Sequence, residues 1–282
     1  CYVGFFGYEL LCQNINIKLP KQKTSNFYPG LVYKPQTLIK IRKNITIKSL
    51  LKHFRKKIPL QKNDNYFYEK KFNLNLNESQ YSNLFKHFSK KIKLGETYQI
   101  KICQTYSNKS NIDAVNFFWK LMSINESPES FLIRDKDYSI ISCSPETLIK
   151  KKKNTITTKP IAGTLNRTKK MTTKYAMSYF KKNEKESKEH NMIVDMERND
   201  LSRICKSGSV KISKLKIVEE YRDLYHYVTE IKGTLKEKTS NHDIISAMMP
   251  GGSVIGCPKI NTLKLLNSRE RLNRNIYTGS FG

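Results

Sequence analysis

The apolar residues of this chain change period twice along its length, and that change limits the folds open to it. From Ser130 to Lys159 the pattern is one of short strands. Phe131-Leu132-Ile133 and Tyr138-Ser139-Ile140-Ile141 are separated by the turn signal Asp135-Lys136-Asp137, and Thr147-Leu148-Ile149 and Thr155-Ile156-Thr157-Thr158 flank a lysine-rich turn ending at Asn154. Helical spacing lies on both sides. Asn77 can cap a helix with Gln80 in the capping-box position, Tyr81, Leu84, Phe85, Phe88 and Ile92 follow at helical intervals, and Gly95 stops it. Thr97 to Cys103 alternates like a half-buried strand. A second helix is expected from Ile112 to Met122, burying Val115, Phe118, Trp119 and Met122, and helical pattern returns between Lys174 and Leu201. Strands grouped between helices, rather than alternating with them, predict a mixed antiparallel α+β fold and not a βαβ series. We divide the chain at residue 76: 1–76 as the end of an N-terminal region with the first core strands, and 77–282 as the main domain. Residues 13–75, poor in glycine and rich in lysine and asparagine, carry the least pattern.

The net charge of +28 would ordinarily suggest a nucleic-acid partner. The lysines, however, are dispersed among asparagines and isoleucines, and only Lys150–Lys153 forms a tight run, inside the expected hairpin turn. We therefore expect no nucleic-acid role. No run approaches the roughly 18 apolar residues of a membrane span, so no membrane partner is expected. Six cysteines are scattered without a C-x-x-C or a Cys/His cluster, which predicts reduced thiols, neither zinc nor a disulfide framework, and a cytoplasmic protein. The opening Cys1-Tyr2-Val3-Gly4-Phe5-Phe6-Gly7 reads as a core strand entered midway, and Tyr277 to Gly282 stops as abruptly. The expectation is a piece of a longer chain, truncated at both ends.

Four features carry chemistry. On a helix, Glu186 and Glu189 share a face with His190 and Ile193. Paired carboxylates repel unless a cation lies between them, and an oxygen-only donor set with room for water suits Mg²⁺; a solvated acidic face balanced by lysines is the alternative. Pro160-Ile161-Ala162-Gly163-Thr164 follows a strand and offers backbone N–H groups and a hydroxyl in a tight turn. Pro250-Gly251-Gly252-Ser253 leads through Gly256 and Pro258-Lys259 into a helical pattern, where backbone N–H groups can bind an anion, although the Walker spacing is absent. Each is also compatible with ordinary turn chemistry. His226, in Tyr225-His226-Tyr227-Val228, is either a satisfied core histidine or a general acid–base group.

Together and in this order, these segments resemble the chorismate-binding enzymes. The family's G-[DE]-x-[FY]-Q motif matches Gly95-Glu96-Thr97-Tyr98-Gln99, S-P-E matches Ser144-Pro145-Glu146, and P-I-[AK]-G-T matches Pro160 to Thr164. K-E-x-x-E-H…V-D…R-N-D matches Lys185 to Asp200, P-G-G-S…G-x-P-K matches Pro250 to Lys259, and Y-x-G…G matches Tyr277 to Gly282. The resemblance implies an anthranilate-synthase-like fold of layered sheets and helices around a buried site for chorismate and one Mg²⁺. It implies Glu186 and Glu189 as metal ligands, His226 and Glu146 as proton-transfer groups, and Gln99, Ala162, Gly163, Thr164, Ser253 and Lys259 at the substrate. It also implies a glutamine amidotransferase subunit as the source of ammonia.

Gln99 stands where family members that add water carry a lysine base, so the resemblance implies amination. It divides between two branches. Ala162 replaces the lysine that many aminodeoxychorismate synthases use as a nucleophile, which favours anthranilate synthase. Pro250–Ser253, Met192 to Leu201 and Gly208-Ser209-Val210 look more like the p-aminobenzoate branch, the side to which we incline. Ile255 stands where the family usually has Ser or Thr, so a hydroxyl contact is expected to be missing, and the distant alternatives are a non-catalytic relative or a basic nucleic-acid-binding protein. Further acidic ligands and a carboxylate-binding arginine are expected beyond residue 282, so the chain alone is expected to be inactive.

Overall fold

The computed structural model describes residues 2–17, 27–41, 45–50, 67–125, 127–168 and 170–282. Its largest sheet has five antiparallel strands. Lys150–Lys152, Thr155–Thr158, Leu224–Thr234 and Ile161–Asn166 follow one another across it, and Lys211–Glu220 pairs with Leu224–Thr234 as well. The central strand is buried almost continuously from Tyr225 to Thr229, the composition expected of a strand covered on both faces. Helices Thr173–Lys182 and Glu184–Ile204 pack on it. Between them, Asn183 ends the first helix and caps the second, its side chain accepting from the Glu186 amide. The helical pattern expected between Lys174 and Leu201 is thus divided between two helices.

Two of the expected elements shift. The strand expected at Thr147–Ile149 forms instead at Lys150–Lys152, because the turn at Lys153 (φ 53°) and Asn154 sets Lys152 opposite Thr155. The strand expected from Thr97 to Cys103 is reduced to Gln99–Ile100, paired with Gly256–Cys257. Thr97 is fully buried, and its hydroxyl lies within hydrogen-bond distance of the carbonyls of Gln99 and Cys257 and of Thr262 Oγ1. Gly256 (φ 129°) comes so close to this segment that a Cβ would lie 2.0 Å from the Gln99 carbonyl oxygen.

The capping box at Asn77 and Gln80 forms as the sequence predicts and opens the helix Glu78–Lys93. Asp113 caps the next helix, Ala114–Ile124. There the burial expectation needs correction. Trp119 is 64% exposed, and Val115, Phe118 and Met122 are only half-buried, because the hairpin of Glu129–Arg134 and Ser139–Ser144 covers one side alone.

The first and last described strands share a sheet, with Val3–Phe6 between Gly30–Tyr33 and Ser280–Phe281. Helix Tyr8–Asn14 brings Tyr8 and Cys12 into one apolar cluster with Phe88, Ile255, Leu263 and Leu266. Residues assigned to the 1–76 segment therefore pack against residues near the C-terminal end. Arg274, 4% exposed, is bidentate to Glu270 and sits over the Tyr8 ring at 4.9 Å, while Glu9 accepts the amides of Arg274 and Asn275. The five described cysteines are all free, and no helix among the described residues is long and apolar enough to cross a membrane.

The inner face of the long helix carries acids as well as Ile193, Val194, Leu201 and Ile204. Glu197 is 1% exposed and accepts from the Thr158 hydroxyl, and Asp200 is paired with Lys259 at 2.5 Å. Burial and the neighbouring Asp200 push the Glu197 carboxyl up to about 8. Between the ordinary carboxylate range near 4.5 and about 8, the folded chain keeps a proton that the unfolded chain releases. Wild-type stability should therefore fall as pH rises through that window, by up to about 1.4 kcal/mol per pH unit. Glu197→Gln should remove that slope, so urea denaturation of the two proteins from pH 5 to pH 8 should show the variant gaining on the wild type as pH rises. Parallel curves would refute the assignment.

Candidate active site

One irregular strand connects the residues singled out by the sequence. Along Ile161–Asn166, Ile161 faces Val228 and Thr164 faces His226, so Ala162 and Gly163 together oppose the single residue Tyr227. This β-bulge is made possible by Gly163, whose φ is 112°. A Cβ there would also lie 2.9 Å from the Phe180 ring and 3.1 Å from Glu186 Oε2. The Glu186 carboxylate thus rests directly against the bulge, where no residue larger than glycine fits.

Around the bulge the structure places three groups. In the first, Thr164 Oγ1 is 3.1 Å from His226 Nδ1, and the His226 ring meets the Tyr221 ring at 5.2 Å. His226 is 6% exposed. Burial pushes its pKa below the ordinary histidine range, opposed by a hydrogen bond to the Gly163 backbone and by the Glu219 carboxylate. In the second, Glu146 is bonded to the Ser253 hydroxyl and to the Ile161 backbone. Burial raises its pKa, against the pull of those bonds and of Lys101. In the third, Gln99 Nε2 donates to Glu189 Oε1, and Lys101 Nζ lies 3.9 Å from the same oxygen. Burial, with the negative charge of Glu189 added, pushes the Cys257 thiol up to about 11.

The second and third groups open on two cavities. The larger, ≈1480 Å³, takes Glu146, Ser253, Lys101 and the Gly251 backbone into an apolar wall that includes Phe131, Ile141 and Phe281. The smaller, ≈850 Å³, is lined by Gln99, Lys101, Glu189 and Met192. Lys101 reaches both. Gly163, Thr164, Glu186 and His226 line neither, so the bulge and its histidine sit behind the cavity walls.

Two residues expected at a substrate are otherwise engaged. Lys259 is 7% exposed, paired with Asp200, and its ammonium donates to the carbonyls of Ala247 and Met248. Ala162 is 5% exposed, and its carbonyl is bound by His190 Nδ1 at 3.0 Å. Ile255, the departure from the motif, is fully buried among Leu263 and Leu266, and its carbonyl accepts from the Lys101 amide.

Sequence reasoning missed Lys101, Glu197 and the part played by His190. Lys101 was visible as a lysine inside an apolar alternation, Gln99-Ile100-Lys101-Ile102, and Glu197 as an acid spaced on the apolar face of its helix, four residues from Ile193. No set of three or more metal-capable side chains converges among the described residues. Glu186 and Glu189 stand on one helix face, and the buried Gln99 Oε1 has no partner among the described residues; oxygen donors of this kind are the type a hard cation takes.

The profile of the chorismate binding enzymes matches residues 2–282. Aminodeoxychorismate synthase component 1 of Bacillus subtilis is 34% identical over 206 residues, 73% of this chain and 44% of that protein. Anthranilate synthase component 1 of Saccharolobus solfataricus is 32% identical over 208 residues, 73% of this chain and 49% of that protein. The chain therefore spans about half the length of these curated relatives. The crystal structure of anthranilate synthase component I from Streptococcus pneumoniae covers the whole chain and 68% of its own length, with a TM-score of 0.80 at 24% identity. With the sheet, the bulge and the acidic helix arranged in that fold, the chain belongs to the chorismate binding enzyme family.

Proposed function

We propose that this protein supplies the ammonia-adding subunit of a chorismate aminase, on the p-aminobenzoate branch. The observation that carries the amination reading is the Gln99 amide donating to Glu189 at the cavity wall. An amide has no basic lone pair with which to deprotonate water, whereas ammonia needs no base to become a nucleophile. The adjacent lysine, Lys101, is held as the ion-pair partner of Glu189.

In this reading Glu186 and Glu189 would hold Mg²⁺, which when bound offsets the negative charge of the substrate carboxylate. The remaining work falls to the chain. Glu146, with its raised pKa, keeps a proton available for the departing 4-hydroxyl, which leaves as water while a C–N bond forms at the ring. Ser253 holds the Glu146 carboxyl in place. His226, neutral through burial, takes up the proton that ammonia releases on attack. Gly163 and Thr164, behind the cavity wall, hold His226 through the bulge backbone and the Thr164 hydroxyl. Ammonia would arrive from a glutamine amidotransferase subunit, a partner consistent with the word "component" in the relatives' names.

A second reading, anthranilate formation by direct ammonia attack and loss of pyruvate, is favoured by Ala162. Its side chain is a buried methyl, and no lysine stands there to attack the ring. The product separates the branches. Given chorismate, Mg²⁺ and ammonium, the full-length protein of the p-aminobenzoate branch consumes chorismate without the fluorescence of anthranilate, and p-aminobenzoate appears only after an aminodeoxychorismate lyase is added. Fluorescence growing in step with chorismate loss would move the protein to the second branch. For the metal, Glu186→Gln and Glu189→Gln should each raise the Mg²⁺ concentration giving half-maximal chorismate consumption by at least about tenfold; titrations that overlay the wild type would remove these residues from the metal site.

A further inference from the structure

The histidine next to the acidic pair has no part in the reaction just described, yet its surroundings are fully specified. His190 is completely buried. Its Nδ1 lies 3.0 Å from the Ala162 carbonyl oxygen and its Nε2 lies 2.6 Å from Thr229 Oγ1. The ring is tilted against Tyr227 at 4.7 Å, and Tyr227 in turn stacks on Phe180 at 4.8 Å. Nothing in this packing lets the ring turn over without losing both bonds.

The partners dictate where the protons are. A carbonyl oxygen only accepts, so Nδ1 must donate to Ala162. Nε2 of the neutral ring then offers a lone pair, and the Thr229 hydroxyl donates to it. The Thr229 oxygen is itself an acceptor from the Lys216 backbone N–H at 3.0 Å. The result is a one-way chain from Lys216 N–H through Thr229 and His190 to the Ala162 carbonyl. The other tautomer would set two acceptors face to face at Ala162 and leave a buried carbonyl without its donor.

Both ends of that chain are irregular. Ala162 lies in the bulge, and Lys216 (φ 49°) lies in the neighbouring Lys211–Glu220 strand, where the register slips between Lys214 and Ile217. Thr229 sits on the central strand between them. One side chain from the long helix therefore fixes both distorted strands that flank His226. Thr164, two residues past Ala162, carries the hydroxyl that meets His226 Nδ1, and Glu186, four residues before His190, lies against Gly163.

We propose that His190, as its Nδ1–H tautomer, is a positioning residue that sets the Ala162–Gly163 bulge and through it the Thr164–His226 pair. The inference rests on the amination reading only for what the bulge serves. His190 touches no substrate; it fixes the distance between the helix that carries Glu186 and Glu189 and the strand that carries Thr164.

The test compares His190→Asn with His190→Gln. An asparagine amide reaches the place of Nδ1, and a glutamine amide reaches the place of Nε2, so the pair separates the two bonds at nearly constant polarity. ¹⁵N-histidine NMR on the full chain should show a protonated Nδ1 and an unprotonated Nε2 on His190. The His226 ring signals should stay in place in His190→Asn and move in His190→Gln. A protonated Nε2 on His190, or His226 signals displaced equally in both variants, would overturn the proposal. In turnover, His190→Gln should lower kcat by about 10²-fold with the chorismate KM little changed, and His190→Asn should recover most of it. Equal loss in both variants counts against the proposal. A full-length wild-type protein that shows the expected NMR signals but never consumes chorismate sinks the amination reading and leaves the tautomer and the bulge assignment standing.

Discussion

A single extra residue between Ile161 and Thr164 determines how the helix and the sheet of this protein face one another. Without it, Ala162 and Gly163 would alternate in and out of the sheet like any strand residues, and Thr164 would not meet His226 across the pair. With it, the backbone at Gly163 swells toward the long helix until only the absence of a Cβ leaves space for the Glu186 carboxylate. The cost of a positive φ is small for glycine and large for anything else. What stabilises the swelling is the polar satisfaction around it: His190 at the Ala162 carbonyl, His226 at the Gly163 backbone, and Glu146 at the Ile161 backbone. Three candidate functional side chains thus take their positions from consecutive backbone groups.

Electrostatics divides this region into a dry part and a wet part. On the inner face of the long helix, Glu197 and Asp200 are buried with one lysine for two acids, so the surplus negative charge is relieved by a proton on Glu197 rather than by a second cation. On the cavity side, Glu189 takes the Gln99 amide, and Lys101 approaches it only to 3.9 Å from a partly exposed position. The +28 net charge has little to do with this division. It is spread over the surface, as on the exposed Lys150–Lys152 strand, while the buried lysine, Lys259, is occupied by Asp200 and two carbonyls.

Much of the fold could be read from the chain because the governing signals are local. The Asn77–Gln80 box, the turn of Asp135–Asp137 and the helical spacing of Tyr81 to Ile92 each depend on residues a few positions apart, and each forms where expected. The misreadings come from long-range terms. Trp119 has helical spacing in its favour, but its burial depends on whether another element covers that side, and the hairpin covers only the other. Lys259 lies in a glycine- and proline-rich motif that suggests a ligand, yet Asp200, distant in sequence, claims its charge. The bulge itself was legible only as a tight Gly-Thr turn, since the register that makes it a bulge is set by Val228 and His226 on another strand.

Ile255 shows how a departure from a motif can be neutral to the site it adjoins. Where the family pattern calls for a hydroxyl, this chain has a branched apolar side chain, which as a lining group would remove a polar contact. The side chain instead fills the apolar cluster of Tyr8, Phe88, Leu263 and Leu266 and is fully excluded from water. Only its backbone reaches the site side, where the carbonyl holds the amide of Lys101. A serine or threonine at this depth would need a buried partner for its hydroxyl, and without one would lose about 1–3 kcal/mol. Isoleucine removes that requirement and keeps the backbone contact. The substitution therefore reads as a choice of packing beneath the loop, and the polar groups that face the cavities include Ser253, Glu146, Gln99, Lys101 and Glu189.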